Sequence, residues 1–581
     1  MRNSNSNNDS APAAMLVGNI IGHVEILPKK TDYSNDSSAL VMAVNKNGNL
    51  FFFFFFKTSV LIYIIFFSIS GLPLWTLLSS SMVATGRLQA ITTSARVAAT
   101  SDGGAVAVGT YSSSFIRFGH SLLRNVDDAN CVPFVIRVAR NGTVAWLAQL
   151  DVARRACAYA RDVTVLAASG GQGERVVVVG SFEGELSTPR GGGGGGGGKT
   201  RYKVAAPLDT VNGYAAAFDA SSGDAQWLVA LQSSRDALLS AVAATGDDGA
   251  ALALLGTVKT NASFVTGNTT SGAGPLASVR LGSVVNVTSR AVALGVLAGN
   301  GTSLAWAALA AGNSDAVPCD VAHRVSSDGA GNLYVSGCVS DALNFTSAAL
   351  DDDDDYYGGG GGGERAYGAH RRAPNRTVSV EPPYTSTYVA SYSASSGQCA
   401  WAVAAQTRNL ASFMPGLTTF STRGNTTNIV ILTQFIMGDV SLGDDVLYPF
   451  SASPRTAVCL ARGGIYVIAL HSESGKVISA SYPISGPSFA TRLLPLENDA
   501  NDDNDDVYGA AANGDEAGSG SALGDQWPQE YLLVGSFGTG SRIAPSAPYV
   551  QGAVILFYFI LFYLFLLFII YFFIFEYFFL V

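Results

Sequence analysis

The chain has 581 residues, of which 48% are hydrophobic and only 14% charged, with a formal net charge of −9. That excludes a mainly disordered chain, because there is apolar material for a large core, and it argues against a nucleic-acid binder, which needs a basic face. Five His and six Cys, widely scattered, do not make a metal-cluster or disulfide-framework protein.

The N-terminal stretch 1–50 holds a partial unit of a repeat that recurs later. MLVGNIIGHVEI (15–26) resembles YLLVGSFGTGSRI (531–543), and ALVMAVNKNGNL (39–50) resembles FVIRVARNGTV. Residues 51–80 differ in kind. Within FFFFFFKTSVLIYIIFFSISGLPLWTLL the apolar run is long enough for a transmembrane helix over 58–78. Lys57, Gly71 and Pro73 interrupt it. Lys46 and Lys57 before it balance Arg87 and Arg96 after it, so charge does not orient it. The competing reading is a translated intron, since Phe, Ile and Tyr have AT-rich codons while the Ala- and Gly-rich remainder has GC-rich ones. A span here would put two halves of one repeat unit on opposite sides of a membrane, which hydrogen-bonded strands do not permit. Either the block is not a span, or residues 15–50 lie outside the repeat array.

Two patterns alternate along 81–545. The first is an aromatic-apolar strand, a small-residue turn ending in Gly, and Trp four or five residues on. It ends at Trp146, Trp227, Trp306 and Trp401, with Ser479 in the Trp place of a fifth copy, giving intervals of 81, 79, 95 and 78 residues. The second is a turn, an apolar run, then Gly and a small residue. It holds Gly109, Gly180, Gly256, Gly337 and Gly535, with Thr433 in the Gly place of one copy. Each pattern reads as a β-hairpin closed by an NG, DG or SG turn. Two hairpins make a four-stranded sheet that must stack on its neighbours, with Trp and Phe filling the space between sheets. The expectation is all-β, a β-propeller of six or seven four-stranded blades.

Tyr388–Trp401 together with Ser327–Val339 resembles the SBBP-type β-propeller repeat, related in outline to PQQ-like repeats. The resemblance covers about 130–540 of the chain. It implies a propeller fold and says little of function; such proteins include secreted and surface-attached ones.

Low-complexity segments 191–198, 351–363 and 498–526 fall between strands, where insertions cost little closure entropy. They read as solvated rim loops. Gly193–Thr200 matches a phosphate-binding loop literally, but Pro207 follows and no helix does. Asp499, Asn501 and Asp503 open like a calcium loop, yet Asn504 stands where Gly is needed and Ala510 where Glu is needed. His23, His120, His323, His370 and His471 lack metal-site spacing. No cofactor, catalytic or metal-ligating residue is expected.

Asn141, Asn261, Asn268, Asn286, Asn300, Asn344, Asn375 and Asn425 each head an N-x-[ST] sequon, as do Asn8 and Asn35. Asn141 and Asn300 fall in hairpin turns that would accommodate a glycan. Cys319 and Cys338 flank a predicted strand and are a candidate disulfide in an oxidising compartment, with free buried thiols the alternative. Residues 553–581 are a second candidate transmembrane helix, with Glu576 as its one charge.

The leading expectation is a membrane-anchored, extracytoplasmic propeller acting as a non-enzymatic binding or adhesion scaffold for a protein or glycan ligand, with no nucleic-acid partner. The alternatives are a propeller enzyme, such as a quinone-dependent dehydrogenase or glycan hydrolase, and a soluble or secreted propeller whose hydrophobic blocks come from a mispredicted reading frame.

Overall fold

In a computed structural model, side chains are described over 96–125, 129–168, 173–189, 201–206, 210–246, 251–267, 291–311, 324–337, 342–345, 378, 380, 387–404 and 468–477, and backbone alone for the other strands. The described chain is all-β and propeller-like, built from antiparallel sheets.

Four sheets share a meander of four strands in chain order; the first consists of these four alone, whereas each of the other three carries two further strands beyond the fourth and has six, so the expected four-stranded sheet is met only in the first. Thr92–Ala99, Ala105–Tyr111, Val132–Val138 and Val144–Gln149 form one. Ala158–Leu166, Arg175–Phe182, Asn212–Asp219 and Ala225–Ser233 form the next. Ala237–Thr245, Ala251–Val258, Ala291–Ala298 and Leu304–Gly312 follow. Then come Arg324–Ser327, Asn332–Val339, Ser386–Ser393 and Cys399–Thr407. The plan continues through Phe413–Ser421, Asn428–Ile436, Gly464–His471 and Val477–Ser485, and opens again in the pair Ser488–Pro495 and Tyr531–Phe537. The first strand of each sheet packs on the first strand of the next. The sheets are therefore radial, with their first strands innermost.

The recurrent Gly of the second pattern follows from a bulge. Four innermost strands gain one residue opposite it: the register shifts between Ser94 and Arg96 facing Gly109, between Ala160 and Asp162 facing Gly180, between Leu239 and Ala241 facing Gly256, and between Ala490 and Arg492 facing Gly535. The bulge pushes a carbonyl across the second strand. A Cβ on Gly180 would lie 1.9 Å from the Tyr159 carbonyl oxygen, and one on Gly256 equally close to that of Leu238.

The Trp of the first pattern fills the gap between sheets, as the sequence predicts, and does so in a fixed way. Each Trp lies on the hairpin turn of the following sheet. The indole N–H donates to a turn carbonyl: Trp146 to Ala220 at 2.8 Å, Trp227 to Gly299 at 3.1 Å, Trp306 to Ala394 at 2.6 Å and Trp401 to Ser472 at 2.8 Å. A buried indole needs such an acceptor. The turn glycine lies under the ring. Gly301 has φ of 70°, and a Cβ there would meet Trp227 at 2.6 Å. Gly and Trp of one hairpin thus serve two different interfaces.

The expected helix over 58–78 is not formed. Tyr63–Ser70 and Pro73–Met82 are strands, and among the described residues no helix is long and apolar enough to cross a membrane. The reason lies in Pro73–Met82. This strand pairs with Ser37–Val44, which pairs with Ala14–Ile21. Its register copies the complete sheets. Leu40 faces Gly18 and, three residues on, Ala43 faces Trp75, followed by a bulge that sets Val44 against Pro73. In the same way Tyr214 faces Gly180 and Ala217 faces Trp227, with a bulge before Phe218. Trp75 therefore holds the place of the repeat Trp. Gly48 and Trp75 are 27 residues apart, against four for Gly142 and Trp146, an excess of 23. The Phe-rich strand Asn49–Phe55 belongs to a separate sheet with His23–Ile26 and Tyr63–Ser70. The second candidate span, 553–581, lies outside the described residues.

Candidate functional site

A meander of this kind has two ends. Turns between first and second and between third and fourth strands share one end; the remaining connections share the other. The turn end is tight and regular. Asn141 Oδ1 accepts from the Thr143 N–H at 3.0 Å, and Asn300 Oδ1 from the Thr302 N–H at 3.0 Å, as such turns require. Asp219 Oδ1 accepts from the Ser221 and Ser222 N–H groups at 2.9 and 2.8 Å. Burial alone would raise its pKa, but these hydrogen bonds outweigh it and hold the carboxyl below its usual value.

The sequon residues separate on this frame. Asn141, Asn261 and Asn300 are exposed. Asn344 is half-buried in Leu343–Ala348, between Leu304–Gly312 and Val378–Val380. Asn268 is in a strand whose side chains are not described, and Asn286, Asn375 and Asn425 lie outside the described residues, as do the glycine-rich and acidic segments.

The connection end carries the chemistry. Cys131 precedes the third strand of one sheet and Cys157 precedes the innermost strand of the next. The two form a disulfide with Cα atoms 4.4 Å apart, stapling adjacent sheets. Cys399 is free and buried. Cys319 lies outside the described residues, and of the Cys338 side chain nothing is described. Nothing in the spacing of the cysteines singles out this pair, because Cys131 and Cys157 meet only when two repeat units stack.

The staple orders its surroundings. Asn130 donates from its amide to the Arg155 carbonyl at 2.6 Å, and its backbone N–H to Ala156 at 2.9 Å. Arg155 has φ of 63°, the one positive value outside glycine among the described residues. Such a backbone costs about 1 kcal/mol or more and persists where surroundings hold it. Tyr159, 43% exposed, is one of two large exposed hydrophobic side chains among the described residues. Its hydroxyl lies 3.3 Å from the Cys131 sulfur, and the Arg161 guanidinium carbon is 6.0 Å from its ring centre. Deeper along the innermost strands, Arg96 pairs with Asp162 at 3.7 Å, and Asp162 accepts from the Val242 N–H of the next sheet at 3.1 Å. One carboxylate thus ties three sheets together.

The buried tyrosines Tyr111, Tyr214, Tyr334, Tyr388 and Tyr392 all have pKa values raised chiefly by burial. They are neutral packing groups. Among the described residues no three His, Cys, Asp or Glu side chains are grouped to hold a metal ion.

No family model and no curated protein matches the chain. Among solved structures it is similar to a NanB structure with Optactamide and to a point mutant of the NanB sialidase from Streptococcus pneumoniae. Each has 8% identity and a TM-score of 0.24, covering 83% of this chain and 89% of that one. A likeness at this level assigns no activity.

Proposed function

We propose that the protein is a seven-bladed β-propeller of an oxidising, extracytoplasmic compartment, working as a non-enzymatic binding or adhesion scaffold. The ligand, a protein or glycan, sits at the connection end, and residues 553–581 serve as the membrane anchor. The observation that carries this reading is the Cys131–Cys157 disulfide. Such bonds persist where glutathione does not reduce them. This one fixes the connection end, where longer loops on a rigid frame are suited to recognition. The exposed sequons Asn141 and Asn300 lie at the opposite end, so glycans there leave the connection end open.

The test is expression through a eukaryotic secretory pathway. A glycosidase should shift the mobility of the protein, by less in the Asn141→Gln/Asn300→Gln variant, and Cys131 and Cys157 should resist alkylation until reduced. Absence of any shift, with both thiols alkylated at once, would overturn the proposal.

A further inference from the structure

Both cysteines of the Cys131–Cys157 bond are only half-buried, at the surface of the connection end. The Tyr159 hydroxyl is within hydrogen-bonding reach of both sulfurs, 3.3 Å from Cys131 and 3.6 Å from Cys157. A disulfide sulfur carries no hydrogen, so the phenol is the donor in both contacts. The Arg161 guanidinium carbon is 6.0 Å from the ring centre. A cation near the ring draws on its electrons and makes the hydroxyl a stronger donor. Arg154 and Arg155, both exposed, precede Cys157 by three and two residues, and positive charge beside a thiol favours its thiolate.

The two segments are also joined without the sulfur bond. The Asn130 N–H donates to the Ala156 carbonyl at 2.9 Å, the Ala158 N–H to the Cys131 carbonyl at 3.1 Å, and the Asn130 side-chain amide to the Arg155 carbonyl at 2.6 Å. The Glu183 N–H holds the Cys157 carbonyl at 2.9 Å from the neighbouring strand. These bonds keep the two cysteines side by side when the sulfurs part, so the link can open without unfolding and close again.

Thiol–disulfide exchange is fast where a sulfur can be reached and the departing thiolate is stabilised. We propose that Cys131–Cys157 is an exchangeable latch between two adjacent sheets, opened by a dithiol and closed on oxidation, with the Tyr159 hydroxyl stabilising Cys131 as the leaving sulfur. A thiolate of the dithiol attacks the Cys157 sulfur and forms a mixed disulfide. The Cys131–Cys157 bond breaks, and Cys131 keeps its electron pair and takes a proton from solvent. The second thiol of the reductant then displaces Cys157 and closes its own disulfide, so two electrons and two protons pass to the protein. The latch adds regulation to the scaffold reading, on which it rests only for its place at the end that seats the ligand.

The test is reduction of the native full chain by dithiothreitol, quenched at intervals with iodoacetamide and read by peptide mass mapping. Cys131 and Cys157 should become labelled together while buried Cys399 stays unlabelled, and removal of the reductant under air should restore the bond. Labelling of the pair only where Cys399 is labelled as well, the mark of unfolding, would overturn the latch. Tyr159→Phe should slow the opening at least about fivefold, as expected for one lost hydrogen bond. An unchanged rate in a variant that still protects Cys399 would overturn the role of the hydroxyl. A monothiol, 2-mercaptoethanol, tests the direction of attack with no variant. Its adduct should sit on Cys157, with Cys131 alkylated, and an adduct chiefly on Cys131 would overturn the assignment of the leaving sulfur. The scaffold reading fails separately, by the isolated protein having no bond between Cys131 and Cys157 to open.

Discussion

The hairpin ending at Trp227 and the one ending at Trp75 have the same strand register and the same bulge, yet only the first is closed by a short turn. Between Gly223 and Trp227 the chain runs four residues; between Gly48 and Trp75 it runs 27. The pairing of Ser37–Val44 with Pro73–Met82 is nevertheless the pairing of the other sheets. A sheet register is set by which side chains must face the core, not by the length of chain between strands, whose closure cost grows only slowly. The 23 extra residues, 49–71, are therefore an insertion in an otherwise ordinary unit. The Phe-rich segment is foreign to the repeat, and Trp75 is not.

The sharpest test of that equivalence is truncation of the two tryptophans. Trp227→Ala should destabilise by about 3–5 kcal/mol, as for other large buried aromatics, and Trp75→Ala by a comparable amount in denaturant unfolding. A loss below about 0.5 kcal/mol for Trp75→Ala, the level of a neutral surface change, would show that the two hairpins are not equivalent. Deletion of residues 49–71 comes next. It joins Gly48 to Leu72 and restores the four-residue spacing, so the variant should fold with a cooperative transition close to that of the full chain. Aggregation or loss of cooperativity would make the insertion part of the fold.

The smallest effect is at the turns themselves. Asp219 and Asp102 both have lowered pKa values. For Asp102 the largest cause is the Thr100 hydroxyl bond, with Arg137 adding to it. For Asp219 the serine hydrogen bonds overcome burial. A depressed carboxylate contributes stability in full above its unfolded value and loses it as pH falls through the folded one. The Asp219→Asn variant should be less stable at pH 7 by no more than about 1 kcal/mol, and the difference should fade as the pH drops below about 4. A difference that persists at low pH would assign the turn's stability to something other than the charge.

The strands, the alternation of two hairpins and the packing of Trp between sheets were legible in the sequence, because a period of two and a turn glycine are local signals. The Gly of the second pattern was visible as a repeat, but its cause was not. It answers to a bulged carbonyl on a strand some 20 residues earlier, at Tyr159 for Gly180. At the usual four-residue spacing after Gly48 stands Phe52, not Trp, because spacing along the chain counts residues whereas a sheet counts pairs.

The hairpin unit is a local property of the chain, because every element of it is fixed by neighbours a few residues away. Tertiary structure alone decided what those units bring together. It bonds Cys131 to Cys157, lays Trp227 on the turn at Gly301, and lets Arg96 reach Asp162. Each of these contacts crosses from one sheet to the next, and stacking, not spacing along the chain, sets which residues meet there.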